Sequence, residues 1–320
     1  MPPTSDTISQ APSRTMLPPA APRRTVPAAR LATAWAVMLG GLVVYWFVRP
    51  LFSSALAWTE GTAVVLFASS KFATLLCMPP AERQRLGWGR FAAYLFWPGM
   101  QPRHFLPERR PADARPAPTV AGMLLNAAAA AVLLWVLPGL MPGDWPRALR
   151  LASGLVGYAF LLLFALFDAW ALVYRACGVG VEKLWHNPAA STSLADFWGQ
   201  RWNRIFCGML REVLFFPLAR RLGATAALFA VFLYSGLMHE NFSVAARSGY
   251  GLPLLYFAIQ GAGTWLESRS ALRRAFQRRL WLGRLWTTAF VLGPCLLLLH
   301  EGFLQEYVAP KLVSLGVPGL

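Results

Sequence analysis

The sequence predicts an all-α fold: a polytopic integral membrane helical bundle with about seven to eight transmembrane helices and additional interfacial or re-entrant helices. Three observations carry this. Hydrophobic residues make up 56% of the 320 residues and charged residues only 14%, with a mean hydropathy of +0.44, outside the range of ordinary soluble domains. Runs such as LATAWAVMLGGLVVYWFV, AGMLLNAAAAAVLLWVLPGL and LASGLVGYAFLLLFALFDAWALVY each reach the ~20 residues that a helix needs to cross the hydrocarbon core. Lipid offers the backbone no hydrogen bonds, and the short alternating pattern of a membrane barrel is absent, so these runs span as helices.

In chain order, residues 1–30 are rich in Pro, Ser and Thr and carry Arg14, Arg23, Arg24 and Arg30. Such a segment cannot bury a core, so it is expected to be a disordered basic tail on the cytoplasmic side, with 31–320 forming the membrane-embedded domain. The first apolar run is too long for a signal-peptide core and lacks a convincing cleavage site, so it is kept as the first span. Hydropathy sets spans near 31–49, 60–78, 121–140, 151–174, 222–239, 251–268 and 285–307. With a cytoplasmic N-terminus, the tail and the loops at 79–120, 175–221 and 269–284 face inward and hold 4, 7, 7 and 6 basic residues, 24 of the 30. That asymmetry follows the positive-inside rule, which accounts for the net charge of +16 without nucleic acid. Two half-apolar stretches, WGRFAAYLFWPGM at 88–100 and IFCGMLREVLFFPL at 205–218, are too short or too interrupted to cross and are expected to be interfacial or re-entrant.

Cys77, Cys177, Cys207 and Cys295 fall in or beside apolar runs with neither disulfide nor metal-ligand spacing, and are expected to be small buried hydrophobes. The 27 Arg against 3 Lys, with abundant Ala and Gly, point to a bacterial inner membrane; a eukaryotic chain with this pattern would sit in the endoplasmic reticulum.

The polar residues gather in islands. In SLADFWGQRWNRIF, Ser193 followed by Asp196 forms a capping box that starts a helix at Leu194. Continued through Arg204, that helix has Phe197, Arg201 and Arg204 on one face and Trp198 and Trp202 on another. It is either an interfacial helix, with tryptophans at headgroup depth and arginines on lipid phosphate, or the wall of a site. In SGLMHEN, an apolar span ends in Ser235, Gly236, His239, Glu240 and Asn241. An ionisable group at membrane depth is costly and therefore a functional candidate, and histidine is the side chain best suited to take a proton near neutral pH; near a helix end it is equally a solvated cap. His300 and Glu301 form a similar pair. His104 and His186 sit in loops and are expected to be structural. Neither His-Glu pair continues to a second histidine, so the zinc-protease pattern is missing and no metal is expected. A GxSxG elbow and a nucleotide-binding glycine fingerprint are also missing. The spans show no repeated halves and few intramembrane charges (Glu60, Lys71, Asp168), unlike a transporter.

Together the islands resemble the wax synthase branch of the membrane-bound O-acyltransferase family, whose pattern runs S-L-x-D-F-W-G-x-R-W-N and, about thirty-five residues on, S-G-x-x-H-E. Asn203 and His239 are 36 residues apart. The resemblance covers about 85–310 and includes FWPGM and GAGTWLE; a departure is Gln260, where some relatives have a histidine. It implies transfer of a fatty acyl group from acyl-CoA, a co-substrate, to a hydroxyl, with no cofactor and no covalent enzyme intermediate. His239 is then the general base and Asn203 orients the acceptor or stabilises developing charge. Trp198, Arg201, Trp202, Arg204, Arg211, Ser235 and Glu240 become candidate substrate contacts, the arginines for CoA phosphates. The expected acceptor is a long-chain alcohol, giving a wax ester; a sterol, a glyceride, a polysaccharide hydroxyl to be acetylated, and a non-enzymatic lipid transporter or scaffold are the alternatives. The expected partners are acyl-CoA, a lipid-like alcohol and membrane lipids.

Overall fold

The computed structural model describes residues 26–320, and every described element is helical or irregular. Most of the tail, residues 1–25, lies outside the described residues; Ala28, Ala29 and Arg30 already form the first turn of α1, behind Pro27.

Chain order gives α1 (Ala28–Val48), α2 (Ala55–Cys77), α3 (Pro80–Gln84) and α4 (Gly87–Phe96). The next two are long helices with internal π-helical turns, α5 (Val120–Leu140) and α6 (Arg147–Ala176). The central third holds α7 (Leu194–Asp196), α8 (Arg204–Leu210), α9 (Phe216–Leu222), α10 (Ala224–Ala246) and α11 (Leu252–Glu267). It is followed by α12 (Ser270–Arg278), α13 (Leu280–Leu298), α14 (Glu301–Phe303) and α15 (Ala309–Ser314).

Six of the seven expected spans each form one helix, whereas 285–307 turns at Gly293–Pro294 and breaks at Leu299–His300 between α13 and α14; most of the stretches at 88–100 and 205–218 also form helix, as α4 and as α8 running into α9. By length and apolarity five can cross a bilayer: Ala28–Leu51, Ala55–Cys77, Val120–Leu140, Arg147–Ala176 and Leu280–Leu298. The remaining two of the expected seven fall short for physical reasons. Helix α11 has 16 residues, roughly 24 Å at 1.5 Å per residue, against a core about 30 Å thick. Helix α10 has 23 residues, but its second half carries His239, Glu240 and Asn241. These two pack on each other and form the inside of the bundle. Gly236 makes the close approach possible: a Cβ there would lie 2.9 Å from the Leu254 Cα and 3.4 Å from the Phe257 Cβ, as small residues allow between membrane helices. Helix α10 also continues seven residues past the expected end, placing His239 within the helix rather than at its tip.

Each of the three charged residues noted within the spans has a polar partner. Lys71 donates to the Tyr94 and Gly99 carbonyls (2.8 and 3.0 Å), Asp168 pairs with Lys183 (2.5 Å), and Glu60 pairs with Lys311 (2.6 Å), tying α2 to α15.

Candidate functional site

The island at 191–204 begins as its sequence dictates. The Ser193 hydroxyl accepts the Asp196 N–H at 3.0 Å, and α7 starts at Leu194. The far end of α11 adds a second cap: the Glu267 carboxylate accepts the N–H groups of Leu194 (2.7 Å) and Ala195 (2.6 Å). These acceptors satisfy first-turn donors that a helix leaves unpaired.

Beyond Asp196 the structure departs from the expected single helix. Residues Phe197–Arg201 widen into a π-turn, with the Trp202 N–H reaching the Phe197 carbonyl at 2.8 Å. Trp202 is extended and Asn203 is left-handed (φ 46°, ψ 54°), a conformation that Asn tolerates better than most side chains. Helix α8 then starts afresh at Arg204. Trp198 and Trp202 consequently share no face. The Trp202 ring stacks on Phe197 (5.5 Å, 11°) and meets Trp185 edge-on. Trp198 points into the bundle, packing 5.6 Å from Phe257 and 6.1 Å from Phe232 and donating from Nε1 to Gln260 Oε1 (3.2 Å). Arg201 folds back on Asp196 (2.7 Å) and the Asn187 carbonyl, so it braces the turn.

In the second island each position of S-G-x-x-H-E has a separate task. His239 Nδ1 lies 2.7 Å from the Ser235 carbonyl. A carbonyl only accepts, so Nδ1 carries the hydrogen and the neutral ring has its lone pair on Nε2; no partner for Nε2 is present among the described residues. The imidazole is half-buried, 4.6 Å from the Phe257 ring and 5.4 Å from Phe242. The Ser235 hydroxyl donates to the Val231 carbonyl (3.0 Å), so Ser235 acts on the histidine through its backbone. Gly236 admits α11. Glu240, 4% exposed, accepts the N–H groups of Gly251 (3.1 Å) and Leu254 (3.0 Å) and so caps α11. Its carboxylate is committed to the fold.

Helix α11 joins the islands. Glu240 holds its start, Glu267 at its end holds α7, and between them Phe257 touches both His239 and Trp198. One turn on, the fully buried Gln260 accepts from Trp198 and donates to the Phe290 carbonyl (2.6 Å). Sequence reasoning missed Phe257 and Glu267 and noted Gln260 only as a departure; a lone amide and a lone carboxylate in an apolar run were the available signals. Asn203 stands at the head of α8, and its Oδ1 is buried without a hydrogen-bond partner among the described residues. An amide oxygen in this state can accept a hydrogen bond from water or from a ligand hydroxyl.

Next to this segment lies a cavity of about 1170 Å³, walled by Gly199 and Gln200 of the island and by α8 and α9. Arg204 and Arg211 line it and Arg201 does not. Arg204 is paired with Glu182, and Arg211 donates to the Gly199 carbonyl at 3.0 Å. Arg103 bridges Glu82 (2.9 Å) and Glu212 (3.2 Å); burial pushes the Glu212 carboxyl above its usual range, against the pull of Arg103. Arg220 and Arg221, also lining residues, are exposed and have no carboxylate partner among the described residues. His104 faces the same cavity, where burial, then Arg109 and Arg204, push its pKa down to about 3. The cavity therefore offers several cations, and among the described residues Arg30, Arg220 and Arg221 have no ion-pair partner. Among the described residues no cluster of three His, Cys, Asp or Glu side chains can hold a metal ion.

Residues 181–259, a segment enclosing Asn203, His239 and Phe257, match the model of the Membrane bound O-acyl transferase family. Probable long-chain-alcohol O-fatty-acyltransferase 7 of Arabidopsis thaliana is 33% identical over 150 residues, covering 42% of this chain and 44% of the relative. Probable long-chain-alcohol O-fatty-acyltransferase 2 of the same plant is 30% identical over 189 residues, covering 51% and 53%. Acyl-CoA–sterol O-acyltransferase 1, also from Arabidopsis thaliana, is 36% identical over 94 residues, covering 26% and 27%. The chain spans about half the length of the first two relatives.

Proposed function

From a chain that carries the membrane bound O-acyl transferase segment at 181–259, we propose an enzyme that moves a fatty acyl group from acyl-CoA to the hydroxyl of a long-chain alcohol. The observation that carries this reading is the tautomer of His239. With Nδ1–H engaged by the Ser235 carbonyl, Nε2 is left as a base inside the bundle. The alcohol oxygen attacks the thioester carbonyl while its proton passes to Nε2; the carbon–sulfur bond then breaks, the ester forms, and the CoA sulfur leaves with a proton returned by the imidazolium. Base catalysis of this kind contributes roughly 10²–10⁴-fold. The Asn203 amide has an unpaired oxygen to accept the acceptor's hydroxyl and an NH₂ to donate to charge developing on the carbonyl oxygen.

The cavity beside α8 and α9 suits the polar half of acyl-CoA. Arg220 and Arg221 are better phosphate ligands than Arg201, because their guanidinium forks are uncommitted. Trp198, Phe257 and Phe232 supply an apolar lining next to His239 for chains. A sterol acceptor is the second reading, favoured by the similarity to a sterol acyltransferase. The plant origin of these relatives favours the endoplasmic reticulum over a bacterial inner membrane. The basic loops and the cavity on one side of the bundle favour a cytoplasmic N-terminus with the donor entering from the cytoplasm.

The test is product analysis of membranes containing wild type or His239→Ala, supplied with labelled palmitoyl-CoA and hexadecanol, a sterol, diacylglycerol or glucose. A labelled ester formed by wild type alone, at matched protein level, supports the reading and names the acceptor. Equal product from both proteins overturns the role of His239, and no ester from any acceptor overturns acyl transfer.

A further inference from the structure

The arginines of this chain differ in what holds them. In the loops around the cavity, Arg85, Arg103, Arg109, Arg201 and Arg204 each hold a carboxylate, and Arg90 and Arg175 hold backbone carbonyls. The stretch from Arg269 to Arg284 is different. It contains six arginines (269, 273, 274, 278, 279 and 284) and no acidic residue. None of the six has an ion pair among the described residues; Arg269 lies over the Trp265 ring at 4.1 Å.

Helix α12 sorts these residues by face. Leu272, Ala275 and Phe276 are half-buried, Phe276 packing 5.7 Å from Trp286 of α13, while Arg273, Arg274, Gln277 and Arg278 are exposed. Directly after the arginines, the head of α13 exposes Leu280 (55%), Trp281 (58%) and Leu285 (59%). Helix α13 is itself long and apolar enough to cross a membrane; in a bilayer its exposed head would meet lipid, and the arginines next to it would lie where headgroups begin.

We propose that α12 and the head of α13 form a docking surface for the anionic phospholipid headgroups of the leaflet they lie against. Six like charges within sixteen residues repel one another unless counter-charge is supplied from outside the chain, and guanidinium forks match phosphate oxygens. A basic residue held at an anionic bilayer surface contributes about 1 kcal/mol, on the order of fivefold in association. The apolar side chains beside the arginines select a bilayer surface over a dissolved polyanion.

The experiment is hydrogen exchange of residues 270–284 in the full chain, in nanodiscs of phosphatidylcholine or of phosphatidylcholine mixed with phosphatidylserine. Exchange is expected to slow on the order of tenfold in the mixed discs, and the slowing is expected to vanish at high salt. It is expected to be lost in R273Q/R274Q/R278Q and retained in R273K/R274K/R278K, with exchange in α10 and α11 unchanged as the measure of an intact fold. Equal exchange in the two disc types overturns the proposal, as does slowing of the same size in the glutamine variant. Equal slowing on adding inorganic phosphate to pure phosphatidylcholine discs also overturns it, since the surface would then be a soluble-anion site.

Discussion

The chain contains the dipeptide His-Glu twice, at 239 and at 300, each closing an apolar run, and the structure puts the two histidines to opposite uses. His239 gives its Nδ1–H to the Ser235 carbonyl and keeps Nε2 open. In His300, Nδ1 accepts the Phe303 N–H at 3.3 Å and caps α14. Its hydrogen therefore sits on Nε2, which faces the Ser243 hydroxyl at 3.3 Å, and that hydroxyl in turn donates to the Gly249 carbonyl (2.9 Å). Both ring nitrogens of His300 are consumed, and Ser243 is no nucleophile because its proton points away from the imidazole. Even the glutamates differ: Glu240 is buried and caps α11, whereas Glu301 is exposed at the start of α14. What separates the pairs is backbone context. A histidine inside a helix finds a free ring edge after bonding its i−4 carbonyl; a histidine at a helix start is spent on capping.

The largest way to break this comparison is His239→Ala. The expected loss of acyl transfer is roughly 10²–10⁴-fold with the unfolding midpoint little changed, read by turnover at matched protein level. His300→Ala is expected to do the reverse, lowering stability by about 1–3 kcal/mol through unpaired buried groups while turnover per folded molecule stays within a few-fold. If His300→Ala removed turnover and left stability intact, the assignment of roles would be inverted.

Gly236→Ala tests the packing that presents His239. The added methyl meets the Leu254 backbone, so α11 must shift, at a cost of about 1–3 kcal/mol; activity is expected to fall with stability, and an unaffected variant would show that the helix contact is not what orients the ring. His104 adds a third kind of histidine. Its folded pKa of about 3 lies below the ordinary 6.5, so the unfolded chain binds the proton first. Its contribution is then complete above 6.5 and is lost as pH falls towards 3, with a slope of up to about 1.4 kcal/mol per pH unit. Thermal unfolding between pH 7 and 5 is expected to show wild type weakening more than His104→Gln. The smallest effect is expected from Gln260→Leu, which frees the Trp198 N–H and costs about 1 kcal/mol. It should raise KM for the lipid-like substrate more than it lowers kcat if Trp198 lines a chain-binding wall.

The sequence alone determined the all-α membrane class, the positions of seven helices to within a few residues at most ends and the cap at Ser193, and its motif spacing singled out Asn203 and His239 as candidates. Each of these follows from local information: run length, charge placement, a four-residue cap and a motif spacing. Tertiary structure decided the rest. The π-turn and the left-handed Asn203 divided what periodicity read as one helix, because a single backbone conformation overrides face counting. Folding engages the polar side-chain atoms of Ser235, Glu240 and Arg201 with partners four to fourteen residues away, which ties them into the frame. Phe257, Gln260 and Glu267 entered because α11 crosses between the islands. Which nitrogen of a histidine is free depends on partners that only folding brings within hydrogen-bond reach, so the same two letters leave Nε2 open at 239 and spend both nitrogens at 300.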